Sequence, residues 1–478
     1  MTRAFPKDEP FLQENYAPWR VEGDIHDCVV EGEIPEQLHG VLYRNGPNPQ
    51  FAPRGQYHWF DGDGMIHAFR FEGGRVDYRN RWVRTDRFRA EREAGEALFG
   101  GLQDMTAGDE SALGISSNSA NTNIIWHGGR LLALWEAGLP HQLDPDTLET
   151  LGTHDFDGAL RRPVAAEIAD ALGVERPDGS IDGIVTAHPK IDPETGELLF
   201  FGYSPFPPFL VYYVADAQGR LQRTVPLDAP FASMAHDFIT TPEHVVFPVF
   251  PAVFGFDNIQ KTGGALSWEP ERGTHVGIMP RDGDGDDVVW IETDPCYVFH
   301  PMNAHSEGST LVAEVVRYPT LPLFGADSGQ PAMLHRWTID LAAGTLKDEQ
   351  LADDPLEFPR VDERRAGLSY RHGYAGGRLD AGQEQFSFNS ILHYDLETGR
   401  RKAHRLRAGS QTGEPVFVPR SPDSPEGDGF LLACVYRGDE NRSDLLVLDA
   451  QNVEDAPLAT VQLPHRVPYG FHGNWRQL

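Results

Sequence analysis

The feature that most constrains how this chain can fold is a short unit that recurs along it. Each unit contains an apolar run, a turn rich in Asp or Gly, and a second run, which is typical of a β-hairpin. Six copies lie at residues 69–76, 143–149, 213–221, 337–346, 394–400 and 446–451. Their intervals cluster at roughly 50 to 75 residues, with one about twice as long, which is the spacing of elaborated β-propeller blades.

A chain of 478 residues has the length for about seven such blades. We therefore predict an all-β fold, a seven-bladed β-propeller, formed by residues 1–478 as one domain, because no linker-like segment interrupts the pattern. Helical periodicity is scarce, and it predicts helices only at residues 89–99 and 161–172. Propellers place their function on the central axis, so distant segments are expected to meet there.

The charge of the chain excludes one class of partner. Lys and Arg total 41 against 72 Asp and Glu, a formal net charge of -31, which argues against binding a nucleic-acid backbone. Anionic lipid should repel most of the surface as well. We expect peripheral membrane contact only through apolar loops with proline-set turns, at residues 248–254 and 318–324. Burial of these loops in the core is the alternative.

The cysteines and the hydropathy pattern indicate a compartment. Cys28, Cys296 and Cys434 are too few and too scattered for a disulfide framework or a zinc ribbon, which fits a reducing environment. No basic and apolar secretion signal is visible at the start, and no apolar run reaches the roughly 18 residues that span a bilayer. We therefore expect a soluble, cytoplasmic protein.

Four histidines lie in apolar or turn-like segments: His188, His236, His300 and His472. His472 lies between glycines and large aromatic residues that would be costly to expose. We interpret the four as ligands of one metal ion at the axis, although each could be an ordinary core histidine. Imidazole suits iron, zinc, copper and nickel, but catalytic zinc usually has three protein ligands. Four histidines with an open position therefore favour iron and dioxygen.

Three glutamates are candidates for holding these histidines. Metal-bound histidines usually donate their second N–H to a carboxylate or carbonyl. Glu136, Glu357 and Glu414 lie beside strand-forming apolar residues, where an unpaired carboxylate would be costly. We interpret them as hydrogen-bond partners of the histidines. The alternative is that they face solvent from their strands.

With these residues identified, the sequence resembles the carotenoid cleavage oxygenases, a family that also contains bacterial stilbene and isoeugenol oxygenases and the vertebrate retinoid isomerase. The matching motifs cover nearly the whole chain and are highly specific in combination. They lie at residues 40–49, 60–65, 120–123, 134–136, 186–189, 234–237, 299–303, 357–359, 414–419 and 470–473.

The resemblance implies a seven-bladed propeller with a dome of helices and loops over an axial Fe(II), one ion per chain. It implies that the four histidines bind the iron, that the three glutamates hold the histidines, and that Thr122 lies beside an open iron position. The implied reaction inserts dioxygen across a conjugated carbon–carbon double bond and gives two carbonyl products. The partners would be O2 and an apolar conjugated small molecule.

Several residues are candidates for the substrate tunnel. The aromatic residues Trp59 and Phe60 suit a long or flat apolar substrate. By motif alignment, Leu102 and Trp135 occupy the positions where stilbene and isoeugenol cleavers carry a tyrosine and a lysine that hold the 4-hydroxyl of the substrate. His305 departs from the family's third histidine motif, and we place it near the site while keeping His300 as the ligand.

The substrate prediction follows from Leu102 and Trp135. Neither can form a charge-assisted hydrogen bond to a phenolate, and leaving that oxygen buried without a partner would cost about 1 to 3 kcal/mol. We therefore expect an apocarotenoid, and a stilbenoid or phenylpropene is the alternative, because residues 97–101 resemble the stilbene and isoeugenol cleavers. A propeller scaffold without chemistry is a further alternative, which the placed histidines and glutamates argue against.

Overall fold

The computed structural model describes residues 3–165, 167, 168, 180–323, 330–379 and 387–478. Seven antiparallel sheets form a β-propeller, so the predicted fold class is confirmed. The first two strands, β1 (Gly23–Ile25) and β2 (Val29–Gly32), belong to different blades. Blade 1 contains β1 with β3 (Gly40–Pro47), β4 (Gly64–Glu72), β5 (Arg75–Trp82) and β35 (Gly473–Gln477).

Blades 2 to 4 follow in chain order. Blade 2 contains β6 (Asn123–His127), β7 (Arg130–Leu134), β8 (His141–Leu143) and β9 (Thr150–Thr153). A small sheet of β10 (Arg161–Pro163) and β11 (Ser180–Asp182) precedes blade 3, which contains β12 (Lys190–Ile191), β13 (Leu198–Tyr203), β14 (Leu210–Ala215) and β15 (Leu221–Leu227). Blade 4 contains β16 (Ile239–Thr240), β17 (His244–Val249), β20 (Thr274–Pro280) and β21 (Val289–Thr293), with the pair β18 (Ala252–Phe254) and β19 (Leu266–Trp268) inserted.

Blades 5 to 7 complete the ring. Blade 5 contains β22 (Tyr297–Glu307), β23 (Thr310–Tyr318), β24 (Met333–Asp340) and β25 (Thr345–Gln350). Blade 6 contains β26 (Leu356–Val361), β27 (His372–Gly377), β28 (Ser390–Asp395) and β29 (Arg400–Arg405). Blade 7 contains β30 (Ser410–Thr412), β31 (Val416–Pro419), β32 (Gly429–Arg437), β33 (Arg442–Asp449) and β34 (Ala459–Gln462), with β2 at its outer edge.

The ring is closed by strands from both ends of the sequence. β35 pairs with β3 and forms the innermost strand of blade 1, while β2 pairs with β34 at the outer edge of blade 7. The innermost strands of neighbouring blades contact one another around the axis. Residues at the starts of the seven innermost strands are therefore expected to lie close to one another around the axis.

All six predicted hairpins are confirmed, and each joins the third and fourth strands of its blade, counted from the axis. The turn chemistry is local: Gly73 and Gly74 both have positive φ, and Asp340 accepts the N–H groups of Ala342 and Ala343. The double interval in the sequence pattern is blade 4, whose outer strands β20 and β21 pair as a hairpin that was not predicted.

Burial decides the composition of each strand. β13 and β14 are buried along their whole length and are almost entirely apolar. The outer strands β25 and β29 carry charged side chains and are mostly exposed, which protects the blade edge from pairing with another sheet. Cys28, Cys296 and Cys434 are free and buried.

The helix predictions need correction. The first observed helix, α1 (Asp86–Ala94), begins at the N-cap Thr85 and stops at Gly95, whose φ is 75°, so it starts and ends earlier than residues 89–99. Within the predicted helix 161–172, Arg161–Pro163 pairs as β10 with β11, residues 167 and 168 are helical, and residues 166 and 169–172 lie outside the described part. A further helix, α2 (Phe256–Thr262), was not predicted.

The two loops expected at a membrane are also corrected. Residues 248–253 are buried within β17 and β18, and Phe254 is half-buried. Residues 318–323 are buried or half-buried, and Phe324 lies outside the described residues. Apolar residues with prolines occur in both core strands and exposed loops, so this pattern does not separate the two. None of the helices that the structure describes has the length and apolarity needed to cross a bilayer.

Candidate metal centre

The four predicted histidines meet at the axis, although up to 284 residues separate them. Each belongs to the start of an innermost strand: His188 and His236 precede β12 and β16, His300 lies in β22, and His472 precedes β35. All four are buried, and one ring nitrogen from each lies within 4.8 Å of the others. This is the only group of three or more potential metal ligands among the described residues.

The other three blades contribute the remaining side chains around the axis. Glu357 lies in β26 of blade 6, and Glu414 precedes β31 of blade 7. Thr122 precedes β6 of blade 2, and Glu136 follows β7 of the same blade. Every blade therefore supplies at least one of the predicted site residues.

Three histidines are each oriented by one of the three predicted glutamates. The distances from Nδ1 to the carboxylate oxygen are 2.5 Å for His236 to Glu136, 2.6 Å for His300 to Glu357 and 2.9 Å for His472 to Glu414. A carboxylate accepts and does not donate, so each Nδ1 carries the proton and each Nε2 presents a lone pair.

These Nε2 atoms converge, and protein groups do not satisfy all of them. The Nε2 of His300 is buried without a hydrogen-bond partner among the described residues. The Nε2 atoms of His188 and His236 lie 2.9 Å apart, which is a hydrogen bond only if His188 carries its proton on Nε2. A cation among the four rings would satisfy all of these nitrogens, so the residues fit a metal ion.

The surroundings favour the neutral, metal-binding form at two of the histidines. Burial, reinforced by the neighbouring imidazoles, lowers the pKa of His188 well below its usual value. Burial also lowers the pKa of His472 to about 4, against the opposing effect of Glu414. At His236 burial would lower the pKa, but Glu136, together with Asp237 and Glu357, outweighs it and the pKa is raised.

The carboxylates have further partners that fix their orientation. Burial would raise the pKa of Glu414, but Arg360 and His472 outweigh it and lower the pKa to about 2, so the carboxylate is ionised. Arg360 Nη1 lies 2.9 Å from Glu414 Oε2. The hydroxyl of Tyr318 donates to Glu357 Oε1 at 3.2 Å, and burial together with Glu357 keeps the pKa of this phenol well above its usual value.

A cavity of about 60 Å³ opens on one side of the histidines. Its walls are mostly aromatic: Trp59, Phe60, Trp135, Phe299, Phe358 and Phe471. Asn121 and Thr122 also line it, and the hydroxyl of Thr122 donates to Asn121 Oδ1 at 3.0 Å. The predictions placed Trp59, Phe60, Thr122 and Trp135 in this region, and the structure brings them together there.

Two predicted tunnel residues lie elsewhere. Leu102 is half-buried, its N–H donates to Asp61 Oδ1 at 2.8 Å, and it is not among the described residues that line the cavity. His305 lies five residues beyond His300 in β22, where its Nε2 is 3.2 Å from Glu307 Oε1. The position of His305 along the strand therefore separates it from the metal centre.

Four cavity residues were missed: Asn121, Phe299, Phe358 and Phe471. Each is adjacent in sequence to a predicted site residue, which is the signal that could have identified them. Phe358 also has a φ of 56°, rare for a bulky residue, at a register shift in β26. Arg360 and Tyr318 were missed because the sequence does not indicate their partners.

A larger polar channel of about 580 Å³ lies on the other side of the histidines. The innermost strands continue into it after passing the histidines, so residues such as Lys190, Asp237, Arg360 and Asn474 line its walls. His188, His300 and His472 also face this channel. The four histidines therefore separate an aromatic cavity from a polar channel.

Comparison with known proteins agrees with this geometry. The family model described as retinal pigment epithelial membrane protein matches residues 16–477. Isoeugenol monooxygenase of Pseudomonas nitroreducens is 37% identical over 98% of both chains, and apocarotenoid-15,15'-oxygenase of Synechocystis sp. is 34% identical over 94% of this chain and 92% of its own. The crystal structure of Pseudomonas brassicacearum lignostilbene dioxygenase superposes with a TM-score of 0.90 at 33% identity over 100% of both chains. The chain therefore belongs to the carotenoid cleavage oxygenase family, as a cleavage dioxygenase.

Proposed function

We propose that this chain is a non-heme Fe(II) dioxygenase that cleaves a conjugated carbon–carbon double bond of an apocarotenoid with O2 and gives two carbonyl products. The observation that carries the proposal is the position of the four convergent imidazoles at the end of an aromatic cavity. Neutral imidazoles leave the charge of a divalent ion intact, which suits a redox-active metal. Bound iron would supply the activation of dioxygen.

The roles of the protein residues follow from their contacts. His188, His236, His300 and His472 would hold the iron through their inner nitrogens, and Glu136, Glu357 and Glu414 would fix three of the rings. The aromatic walls would position the alkene and exclude water. Thr122 would restrict one open position beside the metal. No general acid or base is required, because both oxygen atoms of O2 end in the two carbonyl products.

The lining of the cavity supports an apolar polyene. Among the described lining residues there is no lysine, arginine or tyrosine that could hold a phenolate. The amide of Asn121 is already committed, since its Nδ2 donates to the carbonyl oxygens of Phe60 and Gly62 at 2.8 and 2.7 Å. A buried phenolate would therefore lack a strong partner at these residues, whereas a polyene needs none.

A stilbenoid or phenylpropene substrate is the second candidate. Relatives named isoeugenol monooxygenase and lignostilbene-alpha,beta-dioxygenase are both 37% identical to this chain, compared with 34% for apocarotenoid-15,15'-oxygenase. Similarity over the whole chain reports mainly the shared scaffold, while substrate choice depends on a few lining residues. Trp135 is one of these, and it favours the polyene.

The metal is tested by elemental analysis and reconstitution. We expect about one iron per chain after growth with added iron, and activity of the metal-free protein restored anaerobically by Fe(II) but not by zinc or copper. Full activity of iron-free protein would contradict the proposal.

The substrate is tested by product analysis. The Fe(II) enzyme is incubated separately with an apocarotenal, resveratrol and isoeugenol, and aldehydes are quantified by mass spectrometry. We expect cleavage of the apocarotenal. Rapid cleavage of resveratrol or isoeugenol with no polyene turnover would establish the second candidate. Trp135→Lys, which adds a cation to the cavity wall, should reduce polyene cleavage and increase cleavage of the phenols.

A further inference from the structure

His188 differs from the other three histidines because no carboxylate hydrogen bonds to it among the described residues. The nearest carboxylate oxygen, Asp237 Oδ2, is 3.8 Å from His188 Nδ1, which is too long for a hydrogen bond. Asp237 is instead paired with Lys190, whose Nζ lies 2.8 Å from Oδ1. Without a carboxylate on its ring, the position of His188 depends more strongly on how its backbone is held.

The backbone of His188 is held by a side chain from the neighbouring blade. Asn123, the first residue of β6, donates from Nδ2 to the carbonyl oxygen of Ala187 at 2.7 Å. Ala187 is fully buried, and Asn123 is almost so. The bond joins blade 2 to the peptide immediately before His188, and a buried bond of this kind costs about 1 to 3 kcal/mol when one partner is left unpaired.

A second hydrogen bond, to Thr186, also fixes the backbone at His188. The hydroxyl oxygen of Thr186 accepts the N–H of His188 at 3.2 Å, and the same hydroxyl donates to the carbonyl oxygen of His236 at 3.1 Å. Thr186 is fully buried. The two ligands His188 and His236 are thereby connected through one side chain.

Asn123 is itself anchored to the far side of the metal centre. Its Oδ1 accepts from Asn474 Nδ2 at 3.1 Å, and Asn474 Oδ1 accepts from Arg360 Nη2 at 3.0 Å. Arg360 pairs with Glu414, which holds His472. A continuous chain of hydrogen bonds therefore runs from His472 through Arg360 and the two asparagines to the peptide before His188.

We propose that Asn123 is the positioning residue for His188, and that Asn474 and Arg360 support it by linking it to Glu414. In this arrangement an amide-to-carbonyl hydrogen bond performs for the fourth histidine the task that a glutamate performs for each of the other three. The inference rests on the proposed metal centre and adds a residue that acts on metal affinity rather than on the substrate.

The test uses a volume-matched variant with a matched control. Asn123→Asp keeps the size and the oxygen that accepts from Ile124 N and Asn474 but cannot donate to Ala187. Asn80 makes the same kind of contacts far from the centre, donating to the carbonyl oxygen of Val21 at 2.8 Å and accepting from Gly23 N at 2.9 Å. Asn80→Asp is therefore the control.

The readouts are the affinity for Co(II), measured by competition with a chelator, and the visible absorption spectrum of the bound ion. We expect Asn123→Asp to weaken Co(II) binding about 10- to 100-fold and to alter the spectrum. The added negative charge would by itself strengthen cation binding, so weaker binding reports lost positioning. Asn80→Asp should lower stability while the affinity and the spectrum stay as in the unmodified protein.

The outcomes separate this inference from the proposed function. If the unmodified protein binds no metal, the metal centre itself is wrong. If it binds Co(II) and Asn123→Asp binds equally well with the same spectrum, only the role of Asn123 is wrong, and an equal loss in both Asp variants gives the same conclusion. Should Asn123→Asp not fold, Asn474→Ala decides: we expect a several-fold loss of affinity, and unchanged binding would overturn the inference.

Discussion

The aromatic cavity and the polar channel lie on opposite sides of the same four histidines, yet they are built in different ways. The cavity is lined by large rings that pack against one another, such as Trp59 against Phe471 with centroids 4.5 Å apart. In the channel, apolar residues alternate with charged and amide side chains that hydrogen bond across blades, such as Arg360 with Asn474. The aromatic wall and the hydrogen-bonded network therefore serve separate tasks.

Each task has its own physical requirement. A substrate cavity needs apolar walls that exclude water and bind conjugated carbon chains. Ligand positioning needs directional hydrogen bonds that fix imidazole rings. Glu414 and Arg360 provide them from the channel side, while Glu136 and Glu357 provide them from positions that line the cavity. Substitutions of the aromatic wall and of the Glu414–Arg360 pair should therefore separate substrate turnover from metal affinity.

The largest effect is expected when one of the four histidines that separate the cavity from the channel is replaced. His236→Ala removes a nitrogen that faces the other three ligands, so metal binding and alkene cleavage should both fall to background. Elemental analysis and aldehyde formation measure the two losses. His141→Ala is the control, because His141 is also buried but lies in β8, outside the four-histidine group. Retained iron and turnover in His236→Ala would show that the four histidines do not form a metal site between the cavity and the channel.

The next effect concerns the channel side. Glu414→Gln loses the charge that orients His472 and should weaken Fe(II) retention about 10- to 100-fold, with little change in substrate KM for the fraction of enzyme that retains iron. Glu363→Gln is a matched control, since Glu363 pairs with the same Arg360 but is exposed. Chelator competition measures the affinity. Equal affinities for the two variants would exclude Glu414 from ligand positioning.

On the cavity side the expected effect is smaller and of another kind. Trp135→Ala removes a large apolar contact and should lower kcat/KM for a polyene about 10-fold, while the affinity for iron stays constant. The control is Trp126→Ala, because Trp126 lines the channel instead. Steady-state kinetics with an apocarotenal provide the measurement. A parallel loss in both tryptophan variants would show that the two sides are not independent.

The last effect is on stability rather than on activity or metal binding, and it arises at His58, next to the cavity residues Trp59 and Phe60. His58 caps the short segment Trp59–Asp61, with Nδ1 accepting the N–H of Phe60 at 3.2 Å, and burial lowers its pKa to about 3. Because the unfolded chain has the higher histidine pKa, near 6.5, it binds the proton first. Stability from this group is therefore full above pH 6.5 and is lost as the pH falls towards 3.

At pH 5 this loss amounts to about 2 kcal/mol for His58. His58→Asn keeps an acceptor for the cap but does not titrate, so its free energy of unfolding should fall less between pH 7 and pH 5 than that of the unmodified protein. Denaturant unfolding of the metal-free forms measures the difference. Identical slopes would show that His58 is not held neutral in the folded protein.

Much of the fold could be predicted because its turns are chemically local. Gly73 and Gly74 form one turn, and Asp340 forms another by contacts within a few residues. These hairpins can therefore be predicted without knowing any contact between distant parts of the sequence. The hairpin of blade 4 was not predicted although its connection, 281–288, is shorter than the connection 450–458 of blade 7, so loop length does not explain the difference. Strand β10 was misassigned as helix because its partner β11 lies well beyond a sequence window.

The candidate site likewise has one part that could be predicted from the sequence and one part that could not. The four histidines and three glutamates occur in recognisable local motifs, so their identity could be predicted before their proximity was known. The chain of Asn123, Asn474 and Arg360 could not be, because hydrogen bonds join residues 351 and 114 positions apart. Nothing in the neighbouring sequence indicates which distant carbonyl a buried amide will contact.

Strand β35 carries a consequence for the order in which the protein can mature. The same few residues supply the innermost strand of blade 1 and, at its start, His472. During synthesis, the nascent chain can therefore neither close its ring nor assemble the full set of ligands until residue 477 has left the ribosome. A chain terminated before His472 would lack both the seam and the fourth imidazole, so the four-histidine site can form only after the last strand of the propeller has been synthesised.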